Sequence, residues 1–155
     1  MYVGLIIVFN SINDDQFKTN FQVSLEELAD FKICLVCNSG NEQVFESLME
    51  FADPYDNVSV VNTNRKKSNV SAVRAGARFM YKDYNLKHIG YLVGLDDIEI
   101  LEAIKEFIKQ QKAIIILNKI VRNSKPVKQT YYQSLFSVTE YLEILVNKVA
   151  MQISN

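Results

Sequence analysis

The sequence predicts an α/β fold: three layers, with a mostly parallel sheet and helices on both faces. Three observations point there. Short β-branched runs alternate with segments whose apolar residues recur at three- and four-residue spacing. The runs are apolar throughout instead of at every second position, as befits strands covered on both sides. A polar loop follows each run before the next helical segment begins, which is the rhythm of strand–helix–strand crossovers.

Gly4 to Phe9 is the first expected strand, and Phe17, Phe21, Leu25 and Leu28 mark the helix after it. Phe31 to Cys37 is the second strand, closed by the turn residues Asn38-Ser39-Gly40-Asn41. Val44, Phe45, Leu48 and Met49 give a short amphipathic helix. Asp53-Pro54 then breaks the chain before a third strand at Val58 to Asn62. A basic loop from Thr63 to Asn69 leads into a helix over Val70 to Tyr81, and His88 to Val93 is the fourth strand. Ile98, Leu101, Ile104 and Ile108 form the stripe of the next helix, and the β-branched run Ala113 to Leu117 reads as a fifth strand. Tyr131 to Ile153, with Leu135, Val138, Leu142, Leu145 and Val149 at helical spacing, closes the chain. All 155 residues fit one domain, with a core over 1–118 and a linker plus C-terminal helix over 119–155. The linker is expected from Arg122 to Lys128, around Pro126.

Composition narrows the function classes. A hydrophobic share of 48% is enough to bury a core, so the chain is not globally disordered. A net charge of −1 removes the broad basic field of a nucleic-acid reader, and no nucleic-acid partner is expected. Cys34 and Cys37 lie three apart in one strand, on opposite faces, which is poor disulfide geometry. They are expected to be buried free thiols, in keeping with the cytoplasm. The first nine residues lack a basic n-region, and no apolar run approaches the roughly 20 residues of a membrane span. Membrane contact is therefore expected to be peripheral.

In an open parallel sheet, ligands bind beyond the carboxyl ends of the strands. The loops there are Asn10 to Asn13, Asn38 to Glu42, Asn62 to Asn69 and Gly94 to Glu99. The first three offer amide, hydroxyl and ammonium groups that suit a base, a ribose or phosphates. The fourth holds Asp96, Asp97 and Glu99. Those acids admit two readings: hard oxygen ligands for Mn2+ or Mg2+, or the cap and acidic first turn of a helix. Arg65-Lys66-Lys67 is either a solvated loop or a phosphate clamp. Arg74 and Arg78 lie one turn apart, and His88, without a metal-spaced partner, is structural. No G-x-G-x-x-G, Walker loop or serine elbow is present, which removes the dinucleotide-oxidoreductase and nucleoside-triphosphatase readings.

Taken in order, these loops resemble the family-2 glycosyltransferases of the A-type fold, particularly the branch with polyprenyl-phosphate acceptors. Val8-Phe9-Asn10-Ser11 is similar to that family's first-strand element, and Asn38-Ser39-Gly40 to its acidic-Gly-Ser segment, with an amide in place of the acid. Ala72-Val73-Arg74-Ala75-Gly76 is the most specific match, to an Ala-x-Arg-x-Gly element. Leu92-Val93-Gly94-Leu95-Asp96-Asp97 is similar to the strand that reaches the D-x-D motif, though here the acids are adjacent. The resemblance covers residues 2–118 and implies a nucleotide-diphospho-sugar transferase-like fold. It implies a nucleotide-sugar donor, a glycan or lipid-linked acceptor, Phe9, Asn10, Asn38 and Arg74 around the nucleotide, and a divalent metal on Asp96 and Asp97. Only 58 residues follow Asp97, so the resemblance is to a truncated member, and Glu99 is the candidate base for the acceptor hydroxyl.

The resulting expectation is a glycosyltransferase-like protein for polysaccharide or glycolipid synthesis. The alternative is an eroded relative used for binding or assembly, with contacts to a partner protein or a second copy left open. A receiver-like signalling domain ranks lower, because the third strand ends in Asn62-Thr63 where a receiver needs an Asp.

Overall fold

The computed structural model describes residues 3–13, 16–84, 86–124 and 135–153. Five strands form one parallel sheet: β1 (Val3–Phe9), β2 (Lys32–Cys37), β3 (Val58–Asn62), β4 (His88–Leu92) and β5 (Leu135–Ser137). The order across the sheet is β3-β2-β1-β4-β5. The helices are α1 (Phe17–Glu27), α2 (Glu42–Ala52), α3 (Asn69–Asp83), α4 (Asp97–Asn123) and α5 (Val138–Ile153). Parallel pairing is in step throughout, with Phe9 beside Cys37, Ile7 beside Leu92 and Cys37 beside Asn62. The carboxyl ends of four strands thereby reach one edge. The α/β architecture with helices on both faces is as the sequence implies.

Strand alternation divides the core in two. Val3, Leu5, Ile7 and Phe9 face a large cluster built with Phe17, Phe21, Leu48, Phe51, Ile104, Phe107 and Tyr141, from α1, α2, α4 and α5. Ile6 and Val8 face a smaller cluster with Ala72, Val73, Ala77 and Met80 of α3. Gly76 lets α3 settle there: a Cβ at this position would stand 2.9 Å from side-chain carbons of Ile6 and Val36. Cys34 belongs to the α3 side and Cys37 to the other, both buried and free, as their spacing implies. Burial pushes the Cys34 thiol up to about 12.

Two expectations are corrected. Ala113 to Leu117 is not a strand but the middle of α4, a helix of 27 residues. Its capped start and the absence of any Gly or Pro between Asp97 and Lys125 let one helix run through the β-branched triplet. The stripe also has a different phase: Ile100, Ala103, Ile104, Phe107 and Ile114 are buried, whereas Ile98 is 60% exposed. The fifth strand is instead Leu135–Ser137, so the last helix begins at Val138. Of the expected linker, Arg122 to Ser124 ends α4, and 125–128 lie outside the described residues, as do Tyr131 and Tyr132.

The placement of α4 shapes the site. From β1 to β2 to β3 the chain steps one way with α1 and α2 on the first face, and it returns to β4 with α3 on the second. These three connections share one hand. From β4 to β5 the chain continues in the return direction, and α4 lies on the first face with α1. On the second face α3 covers Ile89 of β4, and among the described residues no helix lies over the end of β4 and over β5. Tyr91, Val93 and Leu135 stand half-buried there.

Candidate functional site

The carboxyl edge is organised around one buried amide. Asn38 has 0% exposure, and its hydrogen bonds are all used within the fold. Its Nδ2 donates to Asn10 Oδ1 at 3.2 Å and to the Lys67 carbonyl at 2.9 Å. Its Oδ1 accepts from the Lys67 N–H at 2.9 Å and lies 3.1 Å from the Thr63 hydroxyl. Three strand-end loops are thus tied by a side chain that is both donor and acceptor. An acid at this position would turn a lone pair toward the Lys67 carbonyl, which explains why an amide stands here.

Phe9 does not reach the edge. Its parity along β1 turns it to the first face, where its ring meets Phe17 and Phe21 edge-on at centroid distances of 5.9 and 5.6 Å. With 0% exposure it offers no surface to a base. Asn38, equally buried, has no free donor for one.

The acids after β4 are engaged at the start of α4. Asp96 is the N-cap: its Oδ1 accepts the Glu99 N–H at 2.8 Å, and Glu99 Oε1 accepts the Asp96 N–H at 3.1 Å, a complete capping box. Asp97 is only 6% exposed, and its Oδ2 accepts the Asn13 N–H at 2.8 Å. The two aspartates, read as a metal pair, are therefore turned to different backbone donors. Among the described residues, no group of three or more His, Cys, Asp or Glu side chains is placed to hold a metal ion. One oxygen of each aspartate is thus engaged by a backbone N–H.

Arg74 lies elsewhere, on α3 over the second face of the sheet. Ser68 caps α3 by accepting the Ser71 N–H at 3.2 Å, which sets Asn69 in the first turn and Arg74 just over one turn further on. Asn69, Val70, Val73 and Arg74 form one wall of a groove of about 240 Å3, and Tyr91, Val93 and Leu135 form the other. Gly94 turns the chain beside Asn69 at φ +72°, a left-handed conformation that favours glycine. The groove opens beside the end of β4, next to the point between β1 and β4 where the strand order reverses. It brings together a guanidinium, an amide, a phenol ring and apolar side chains. Desolvation first, and the nearby Glu140 second, raise the Tyr91 hydroxyl above its ordinary value, so it remains a neutral donor.

Of the residues expected at a nucleotide, the structure keeps Arg74 on an accessible concave surface. Asn10 is joined to Asn38, Phe9 is in the core, and Asp96, Asp97 and Glu99 build the α4 terminus. Asn69 ends one of the loops that the sequence offers for a ligand, whereas Tyr91, Val93 and Leu135 are not singled out by the sequence. Period-two alternation along β4 separates Tyr91 and Val93 from Leu92, but only the position of α4 reveals that their face is open.

No family model matches the chain, and neither a curated protein nor a solved structure matches it.

Proposed function

We propose that the chain is a nucleotide-binding module of the glycosyltransferase-like kind that holds a nucleoside diphosphate, or its sugar conjugate, without transferring the sugar. The groove between α3 and β4 is the binding place. Arg74 supplies the paired donors that suit a diphosphate, Asn69 adds amide hydrogen bonds, and Tyr91 with Val73 and Val93 offers a flat apolar surface for a base. The observation that carries this reading is the use of Asp96, Asp97 and Glu99. All three accept backbone N–H groups around the start of α4, while Arg74 lines the open groove. The role is then binding or assembly in glycan synthesis, in a reducing compartment compatible with the buried thiols.

A screen of uridine and guanosine diphosphates by thermal shift, with and without Mn2+, tests this. Ligand at one hundred times its dissociation constant adds about 2.7 kcal/mol of stability. The proposal expects a shift that is the same with and without Mn2+. A shift seen only with Mn2+ favours the second reading.

That second reading is an active, metal-dependent transferase, favoured by Asp96 and Asp97 lying just beyond β4 at the carboxyl edge. Release of free sugar or its transfer from a nucleotide-sugar in the presence of Mn2+, abolished by Glu99→Gln, would establish it.

A further inference from the structure

The outward face of α4 carries a pattern that neither the core nor the groove uses. Exposed residues recur along it at alternating four- and three-residue steps: Ile98, Glu102, Lys105, Lys109, Lys112, Ile116 and Lys119, with Ile120 adjacent. This is the side opposite Ile100, Ile104, Phe107 and Ile114, which are buried. From Lys105 to the end of the helix stand five basic residues (Lys105, Lys109, Lys112, Lys119, Arg122) and one acid, Glu106, in a chain whose net charge is −1. Positive charge is thus gathered on the part of α4 from Lys105 onward, while Asp97, Glu99 and Glu102 hold its first turns. A second sign of the same field is His88, whose proton affinity is lowered by burial first and then by Arg122, Lys119 and Lys87. Set among the lysines are large apolar side chains open to water, Ile116 at 59% and Ile120 at 61%.

We propose that this face of α4 is a docking surface for an anionic lipid bilayer, with the helix lying flat in the headgroup region. At 27 residues the helix presents a rod about 40 Å long. Its lysines meet lipid phosphates, and Ile116 and Ile120 enter the boundary between headgroups and acyl chains. Two other occupants are disfavoured by the same residues. A partner helix would have to accept Lys105, Lys109, Lys112 and Lys119 along its seam, where apolar residues belong. A nucleic acid would gain nothing from the exposed isoleucines. The inference is independent of the nucleotide groove, which lies on the opposite face of the sheet.

The test is co-sedimentation of the full chain, without nucleotide, with vesicles of phosphatidylcholine alone and of phosphatidylcholine mixed with phosphatidylglycerol. Binding is expected to the mixed vesicles only, and to weaken with salt. Each lysine near an anionic surface tightens binding roughly fivefold, so Lys105→Gln/Lys109→Gln/Lys112→Gln weakens it by about 100-fold. Ile116→Gln/Ile120→Gln also weakens it while leaving the charge intact. Arg78→Gln/Lys82→Gln, on α3 across the sheet, leaves it unchanged. All substituted side chains are exposed, so unchanged thermal midpoints accompany each variant. Equal binding to both vesicle types, no vesicle binding, or binding indifferent to the lysine variant overturns the proposal. So does tighter binding to duplex DNA, or a dimer that the isoleucine variant dissociates.

Discussion

Asp97 Oδ2 accepts the backbone N–H of Asn13 at 2.8 Å, joining the loop after β1 to the start of α4 across 84 positions of sequence. An aspartate that the sequence offers as a metal ligand is thereby a brace between two strand-end loops. Its neighbour Asp96 serves its own helix instead. The two roles separate in stability measurements.

Asp97→Ala leaves the Asn13 N–H without its acceptor. Hydrogen bonds to charged groups contribute about 1.5–3 kcal/mol, and urea unfolding should show a loss of that size. An unchanged midpoint would contradict the bracing role.

Asp96→Asn should leave stability nearly unchanged, because Asn caps a helix about as well as Asp, whereas Asp96→Ala should cost about 1 kcal/mol. The same pair separates capping from metal binding: a Mn2+ ligand at Asp96 would make the Asn variant lose nucleotide affinity.

Asn38→Asp keeps the acceptor for the Lys67 N–H but replaces the donor that serves the Lys67 carbonyl and Asn10. The expected cost is about 2–4 kcal/mol at neutral pH, from unpaired groups and a buried charge. Protonation restores a donor, so the deficit relative to wild type should shrink as pH falls. A variant as stable as wild type at neutral pH would show that the amide is not the organiser of the edge.

His88 gives a pH dependence of definite sign. Asn118 Nδ2 donates to His88 Nδ1 at 2.8 Å, which places the ring proton on Nε2, and Asn118 Oδ1 accepts from the Tyr141 hydroxyl at 2.9 Å. Burial, then Arg122, Lys119 and Lys87, hold the folded-state value below the ordinary 6.5. The unfolded chain therefore binds the proton more readily. The contribution of His88 to stability is complete above 6.5, declines as pH falls below it, and is lost below the folded-state value. His88→Gln should lack that slope, as unfolding followed across the weakly acidic range would show.

Much of this architecture is legible in the residues. The uninterrupted apolar runs of β1 and β2, bounded by polar turns, require a sheet covered on both faces. The errors have physical causes. Ala113 to Leu117 has the local preference of a strand, and the capped, unbroken helix around it overrides that preference. Leu135–Ser137 is too short to carry a period, so its pairing with β4 is a tertiary fact. Arg74 is singled out by its Ala-x-Arg-x-Gly setting, and the structure places it on α3 beside the groove. Phe9 could have been placed in the core by its parity with Leu5 and Ile7. Tyr91 becomes a candidate only once α4 is seen on the other face.

The most direct measurement is calorimetric titration of wild type and Arg74→Ala with uridine and guanosine diphosphates, each with and without Mn2+. The account predicts metal-independent binding of at least one diphosphate by wild type. It predicts a loss of roughly 10-fold or more for Arg74→Ala, equivalent to about 1.4 kcal/mol or more for a charge-assisted pair. Thermal midpoints should be unchanged, since Arg74 is exposed. Binding that requires Mn2+ and is indifferent to Arg74, or no heat with either nucleotide, would contradict it.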